Sequence, residues 1–167
     1  MRDRRIDDLP ALLRLPQRTH EHDGYPVRQS VVHADWLAAP DELLGAVALA
    51  ADRVVGHAAL HPGDDPDDAA SLPQWQHATG RDGTELAVVT RLFTDRSVSG
   101  AGTVLLTHAM QQAARLGRTP VLVIDPDSPA RGFCRRYSWQ EIGIAVQQWG
   151  HRTVDAVRMV PNSARTA

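Results

Sequence analysis

Lysine is missing from this chain: all 18 strongly basic side chains are arginines. That absence removes whole chemistries. A Schiff-base enzyme needs a side-chain amine to condense with a carbonyl, and a P-loop nucleotidase needs the lysine that reaches its terminal phosphates. Cysteine is almost missing too. With Cys134 alone, an internal disulfide and a multi-cysteine zinc site are both excluded. Long apolar runs are lacking. The longest, Leu43 to Ala51, is interrupted by Gly45 and falls far short of the roughly 18–20 residues of a membrane span. The opening Met-Arg-Asp-Arg-Arg-Ile-Asp-Asp carries no signal-peptide core, so a cytoplasmic location is expected. Neither sign of charge is in excess. A net charge of −2 argues against nucleic-acid binding, which draws on a basic surplus or stripe.

What is present fits one soluble domain spanning residues 1–167: 43% hydrophobic and 23% charged residues, with enough chain for one sizeable core. There is no internal repeat. Apolar spacing predicts a helix from Asp8 to about Leu15, ended by Pro16, and a short one from Val31 to Ala38. Leu44–Ala50 and Val54–Leu60, about the turn Ala51-Asp52-Arg53, predict a β-hairpin. Pro62–Thr84, with three glycines, three prolines and Asp64, Asp65, Asp67 and Asp68, reads as a long surface excursion carrying Trp75. A strand over Glu85–Thr94 follows, then a loop over Asp95–Gly102. A helix over Thr103–Leu116 repeats apolar pairs every four residues and stops at Gly117. Val121–Ile124 predicts a buried strand. Ser128-Pro129 starts a helix over Ala130–Tyr137. Ile142–Trp149 and Thr153–Val160 close as a hairpin about Gly150, and residues 161–167 read as a disordered tail. The order is that of a mixed α/β domain with a central sheet.

The sharpest chemical feature is a strand, Leu92-Phe93-Thr94, that runs into Gly100-Ala101-Gly102 and then a helix with Leu105-Leu106. A helix start offers unbonded main-chain N–H groups and a positive dipole end. Glycines let an anion come close to them, so a pyrophosphate suits the place. A dinucleotide fold is the rival, but it wants a third glycine at position 105 and a first strand before the loop. Here Leu105 follows three strands. His20-Glu21-His22-Asp23 does not suggest a metal: the two histidines, two apart, would point to different sides of a helix. That stretch reads as a polar surface turn.

Gly100, Gly102, Leu105 and Leu106 match the latter part of the phosphate-loop motif of the GNAT superfamily of acyl-CoA-dependent N-acyltransferases. Val54–Leu60 resembles that family's third strand. Asp127-Ser128-Pro129-Ala130-Arg131-Gly132-Phe133-Cys134-Arg135-Arg136-Tyr137-Ser138-Trp139 resembles its last core motif. The joint order of these segments covers nearly the whole chain. Departures are Ser97 at the motif's Arg/Gln position, with Arg96 beside it, a shortened loop, and Ser138-Trp139 in place of Gly-Phe.

The resemblance implies a mixed, mostly antiparallel central sheet flanked by helices, with the fourth and fifth strands splayed. It implies acetyl-CoA as cosubstrate and no metal. Main chain of Leu92, Phe93 and Thr94 would pair with the pantetheine arm and polarise the thioester carbonyl. Ser99, Gly100, Ala101, Gly102 and Thr103 would hold the pyrophosphate, with Arg96 near a phosphate oxygen and Asp127 at the head of the last motif. An alkyl amine with a pKa near 10 is only about one part in a thousand neutral at pH 7, so a base must act. Glu85 is the first candidate, with His57 and His61 as alternatives. Cys134 aligns with the family's thiolate-protonating tyrosine, and Tyr137 could substitute for it.

The acceptor pocket would draw on Tyr25, Trp75 and Trp149, with the acidic cluster attracting a cationic amine. The expected reaction is direct transfer of an acetyl group to a primary amine of a small molecule. A homodimer is admitted as an assembly, and neither nucleic acid nor membrane is expected as a partner. Two alternatives stay open: a non-catalytic GNAT-fold module that binds CoA, and a protein N-acetyltransferase.

Overall fold

The computed structural model describes residues 1–15, 33–149 and 152–164. Its strands are β1 Arg2–Asp3, β2 Leu44–Ala50, β3 Arg53–Pro62, β4 Leu86–Thr94, β5 Thr119–Ile124, β6 Trp139–Trp149 and β7 Arg152–Pro161. They form one mostly antiparallel sheet in the order β1-β2-β3-β4-β5-β7-β6. The helices are α1, described over residues 9–15, α2 Ala34–Leu37, α3 Leu72–Thr79, α4 Ala101–Arg115 and α5 Pro129–Arg136. The mixed α/β class expected from the sequence is the one observed. The parallel exception is β4 with β5, whose pairing runs from Leu86–Thr119 to Val88–Val121. No helix among the described residues is long and apolar enough to cross a membrane. The chain divides into two compact units, Met1–His61 with Val89–Gln112, and Pro62–Val88 with Ala113–Ala167.

In the first unit β2 and β3 form the expected hairpin. Its turn residues Ala51 and Asp52 have φ of 47° and 61°, the doubly left-handed arrangement whose twist suits a two-residue β-turn. Val47 packs with Leu12, Leu15, Leu37, Val54 and Phe93, whereas its neighbour Ala48 packs with Val55, Ala58, Ala101 and Leu105. Successive strand residues face opposite sides, so α1 and α2 cover one face and the first turns of α4 the other. A side chain at Gly56 would meet Leu105 at 2.8 Å and the Phe93 carbonyl at 3.1 Å. The bare glycine is what lets the helix lie this close.

The second unit corrects the reading of Pro62–Thr84 as a surface excursion. That stretch holds a 3₁₀ turn at Pro66–Asp68 and the helix α3, and a second 3₁₀ turn follows at Gly83–Glu85. Pro73 lies in the first turn of α3, and Gly80 at φ 65° ends it, its N–H bonded to Gln76 O at 2.8 Å. The helix exists because Trp75 has no exposed surface and packs with Leu86, Val88, Val121 and Val160, joined by Leu72 and Ala78. Spaced by three, Leu72, Trp75 and Ala78 form one helical stripe, hidden in the sequence by the surrounding aspartates, prolines and glycines. Strand β4 also starts one residue late, because Glu85 belongs to the 3₁₀ turn.

Around this core, β5 pairs antiparallel with β7, and β6 and β7 pair from Trp139–Pro161 to Trp149–Arg152 with a register shift between Glu141 and Gly143. The C-terminal stretch expected as a tail continues β7 to Pro161 and makes a 3₁₀ turn at Asn162–Ala164. Truncating a fully buried tryptophan leaves a cavity worth about 3–5 kcal/mol. Trp75→Ala is therefore expected to lower unfolding free energy by that amount in urea titrations. A loss under about 1 kcal/mol, the size of an ordinary surface substitution, would contradict the placement of α3.

Candidate active site

The glycine loop lies in the first unit. Asp95 ends β4 and organises the turn after it: its carboxylate accepts from Ser97 Oγ at 2.6 Å, Ser97 N at 3.0 Å and Arg53 Nη1 at 2.9 Å. These bonds, the Ser97 hydroxyl first, hold its pKa down to about 2. The loop then reaches Gly100, at φ 83° with nothing within 4 Å of where a side chain would stand. Val104 N donates to Gly100 O at 3.1 Å, so the amides of Ala101 and Gly102 head the helix ahead of that bond. Ser99, Gly100 and Arg96 are exposed. Ser97, at the position where the motif carries Arg or Gln, instead serves the loop through Asp95.

The strand leading into this loop is not regular. Arg91, in the middle of β4, has φ 49°, a left-handed conformation that costs a side-chain-bearing residue about 1–2 kcal/mol. Three neighbours surround this kink. His57 Nδ1 lies 3.0 Å from the Arg91 carbonyl oxygen; Arg91 Nη1 meets His61 Nε2; the Arg91 guanidinium lies 5.3 Å from the Trp36 ring centroid. His57 is fully buried and packs on Phe93 with ring centroids 5.4 Å apart. Its other nitrogen, Nε2, faces Arg4 Nη1 at 3.1 Å. Arg4 in turn pairs with Glu42 at 2.8 and 3.0 Å and bonds Leu37 O.

These partners fix the protonation of His57. A carbonyl only accepts, so Nδ1 carries the hydrogen; a guanidinium only donates, so Nε2 offers its lone pair. The ring is neutral, and its pKa is pushed down to about 4, mainly by burial, with the charges of Arg4 and Arg91 adding to it and the bond to the Arg91 carbonyl opposing. Its one basic lone pair is already engaged, which removes His57 from the candidate bases. His61 is equally buried, with Nε2 accepting from Arg91.

The remaining candidates lie in the second unit or outside the described residues. Glu85 accepts from Asp82 N at 3.0 Å and pairs with Arg81 at 3.0 Å. These bonds, the Asp82 amide first, lower its pKa, so it caps a turn rather than standing poised to take a proton. Ser128 caps α5 as expected, accepting from Ala130 N at 3.2 Å. Asp127, exposed, belongs to the turn before it and donates its amide to Asp125 at 2.9 Å. Cys134 is buried on α5, and burial pushes its thiol pKa up to about 12. Tyr137 is 37% exposed and its ring stacks at a tilt on Phe133 at 4.8 Å. Trp75 is a core residue with no face for a ligand. Trp149 ends β6. Tyr25 lies outside the described residues, as do His20 and His22.

Sequence reasoning missed two buried polar clusters. One is the Arg4–Glu42–His57–Arg91 set. The other, in the second unit, centres on Arg158, which is fully buried in β7. Its Nε donates to Ser71 Oγ at 2.9 Å, its Nη1 to Ala145 O and Ala156 O, and its Nη2 approaches Gln147 Oε1 at 3.4 Å. Gln147 passes the contact on to Asp68 at 3.3 Å, a carboxyl that burial raises to about 6. An arginine inside an apolar strand, as in Thr90-Arg91-Leu92 and Val157-Arg158-Met159, was the available signal.

Because the folded His57 pKa lies below the unfolded 6.5, the unfolded chain binds more protons between about 4 and 6.5. The stabilisation from neutral His57 is complete above 6.5 and lost as pH falls through 4. Asp68, raised from 3.8 to about 6, works in the opposite direction over nearly the same window, so the two are separated by substitution. His57→Gln is expected to flatten the fall in urea-unfolding stability between pH 6.5 and 4 relative to the parent chain. Parallel pH profiles for the two proteins would refute a neutral buried imidazole.

The comparisons with known proteins agree with this fold. Among curated proteins, none matches the chain in sequence. Similar solved structures include a ribosomal-protein-alanine N-acetyltransferase from Brucella melitensis, at 20% identity and a TM-score of 0.68 over 95% of this chain and 96% of that one. FeeM, an N-acyl amino acid synthase from uncultured soil microbes, has 19% identity and a TM-score of 0.69 over 95% and 86%. The ribosomal-protein-S18-alanine N-acetyltransferase from Escherichia coli has 15% identity and a TM-score of 0.67 over 99% and 94%. At these identities the likeness is one of fold. The model of the Acetyltransferase (GNAT) family matches residues 9–139, and the chain belongs to that family.

Proposed function

We propose that this protein transfers an acetyl group from acetyl-CoA to the primary amine of a small molecule by direct attack. The observation that carries the reading is the start of α4, where Gly100 at φ 83° leaves open space before the amides of Ala101 and Gly102. The diphosphate of CoA is the anion such a helix start accepts. In the reaction the amine nitrogen bonds to the thioester carbonyl carbon. Charge collects on the carbonyl oxygen, which main-chain N–H groups of β4 near Leu92 stabilise. The carbon–sulfur bond then breaks, CoA leaves as a thiolate that takes up a proton, and the amine gives its proton to solvent water.

Of the two proton donors considered for the thiolate, Tyr137 is the better. It is partly exposed, whereas the Cys134 thiol, at about 12, is too weak an acid to hand a proton readily to another thiolate. The exposed carboxylates Asp64 and Asp67 support a cationic acceptor; no acceptor contact is assigned to Trp75. Because the structural neighbours include enzymes named for ribosomal-protein alanine and for N-acyl amino acids, an acceptor panel needs both small amines and an alanine-containing peptide.

A CoA-binding module without turnover is the second reading. It is favoured by the engagement of His57 and Glu85 in other bonds and by the burial of Cys134. Acetyl-CoA titration with thiol detection over the panel separates the two: saturable binding with no thiol release from any acceptor would favour the module.

Native mass spectrometry of the freshly purified protein is expected to find a bound CoA species. Gly100→Ala, which must place a side chain in the left-handed region at a cost of about 1–2 kcal/mol, is expected to weaken acetyl-CoA binding by roughly tenfold if that strain falls on the bound loop. Unchanged affinity would remove the loop from the donor site. Tyr137→Phe is expected to lower kcat on the order of 10²-fold, the low end for general acid catalysis, while Cys134→Ala leaves it nearly unchanged. The reverse pattern in steady-state thiol release would hand the role to the cysteine.

A further inference from the structure

We infer that His57 is a positioning residue for acyl transfer: it turns the Arg91–Leu92 peptide so that the Leu92 N–H faces the donor's thioester carbonyl, with Arg4 and Glu42 holding the imidazole in place. The inference rests on the acyl-donor reading above and adds to it a residue that touches neither substrate.

The geometry begins with a main-chain carbonyl that bonds to a side chain. In a regular strand, carbonyls lie in the sheet and bond the next strand. The Arg91 carbonyl accepts from a side chain, His57 Nδ1, at 3.0 Å, and His57 packs on the same side as Phe93 and Trp36. The left-handed φ of 49° at Arg91 turns the chain away from regular strand geometry at this peptide. In a trans peptide the C=O and the following N–H point in opposite directions. Anchoring the Arg91 oxygen on His57 therefore aims the Leu92 N–H away from the imidazole, and Leu92 itself packs toward the cluster of Ala101 and Leu105 beneath the start of α4.

The rest of the cluster reads as support for that one bond. His57 can donate from Nδ1 only in the tautomer whose Nε2 is bare, and Arg4 at 3.1 Å selects that tautomer. Arg4 is in turn held by both oxygens of Glu42, at 2.8 and 3.0 Å, the carboxylate nearly buried. Packing alone does not call for this arrangement. A leucine would fill the space beside Phe93 without burying an imidazole, a guanidinium and a carboxylate, each of which is costly to desolvate. A strained peptide held by a charge-supported donor is a preorganised dipole of the kind that stabilises a developing oxyanion without reorganisation.

The test uses acetyl-CoA labelled with carbon-13 at the thioester carbonyl and isotope-edited infrared spectroscopy of its complex with the full chain, so that no acceptor is needed. The parent protein is expected to bind it and shift the carbonyl stretch to lower frequency. His57→Leu is expected to bind within about threefold of the parent, with KM for acetyl-CoA little changed, but to return the band to its solution position and lower kcat on the order of 10²-fold, the loss typical of one oxyanion donor. His57→Gln, whose amide both donates and accepts, is expected to keep the shift and most of the turnover. An identical shift in the parent and H57L, or its loss in a folded H57Q, overturns the inference while leaving the donor reading intact. Failure of the parent to bind acetyl-CoA overturns both. Should H57L not fold, the band of H57Q alone decides.

Discussion

His57 sits between a group that can only give a hydrogen bond and a group that can only receive one, and it is buried where no water can take either part. Its two bonds join segments far apart in the chain, 53 residues to Arg4 and 34 to Arg91. The first unit is organised about this joint. The strand that leads to the glycine loop is bent at Arg91, the Trp36 ring lies under the Arg91 guanidinium, and the Phe93 ring packs on His57 and stacks on Trp36 at 6.4 Å. Protonating the imidazole would set a second positive charge against Arg4 and destroy the acceptor that Arg4 needs. The low pKa follows from the same crowding that holds the strand bent.

The second unit solves a similar problem without a histidine. Arg158 buries a full positive charge in β7 and compensates it with main-chain carbonyls of β6 and β7 and with Ser71 at the start of α3. Its nearest anionic help, Asp68, acts through Gln147 rather than directly. Neutral acceptors around a buried cation are an expensive choice by desolvation alone. The arrangement ties α3 to the β6–β7 hairpin, which is also where Gln74 bonds the Ile144 carbonyl at 3.3 Å.

What the sequence made legible was whatever repeats locally. Strand β2 is found at its expected limits because alternation and a tight turn bound it, and α5 starts where Ser128-Pro129 says a helix can. Gly100 follows from its type in the loop before α4, and its φ of 83° is why glycine stands there. Helix α3 was missed because only three stripe residues, Leu72, Trp75 and Ala78, carry its pattern among helix-poor neighbours. Glu85 shows a different limit: a carboxylate at a strand end looks the same in sequence whether it is poised for catalysis or, as here, bonded back to Asp82 and Arg81. The strand arginines Arg91 and Arg158 flag the two polar clusters, but Arg4 and Ser71, their far partners, are 53 residues from His57 and 87 from Arg158, and nothing local to either residue names them.

The exclusive use of arginine has a chemical corollary. Arg2, Arg4, Arg53, Arg81, Arg131 and Arg135 each pair with a carboxylate, and Arg158 is a cation buried in β7. A guanidinium stays protonated at any physiological pH and is no nucleophile toward a thioester. A fold that handles activated acyl groups while building its electrostatics from arginine keeps those contacts beyond the reach of adventitious acylation. A lysine in the same positions would be neutralised by it and would lose its partner.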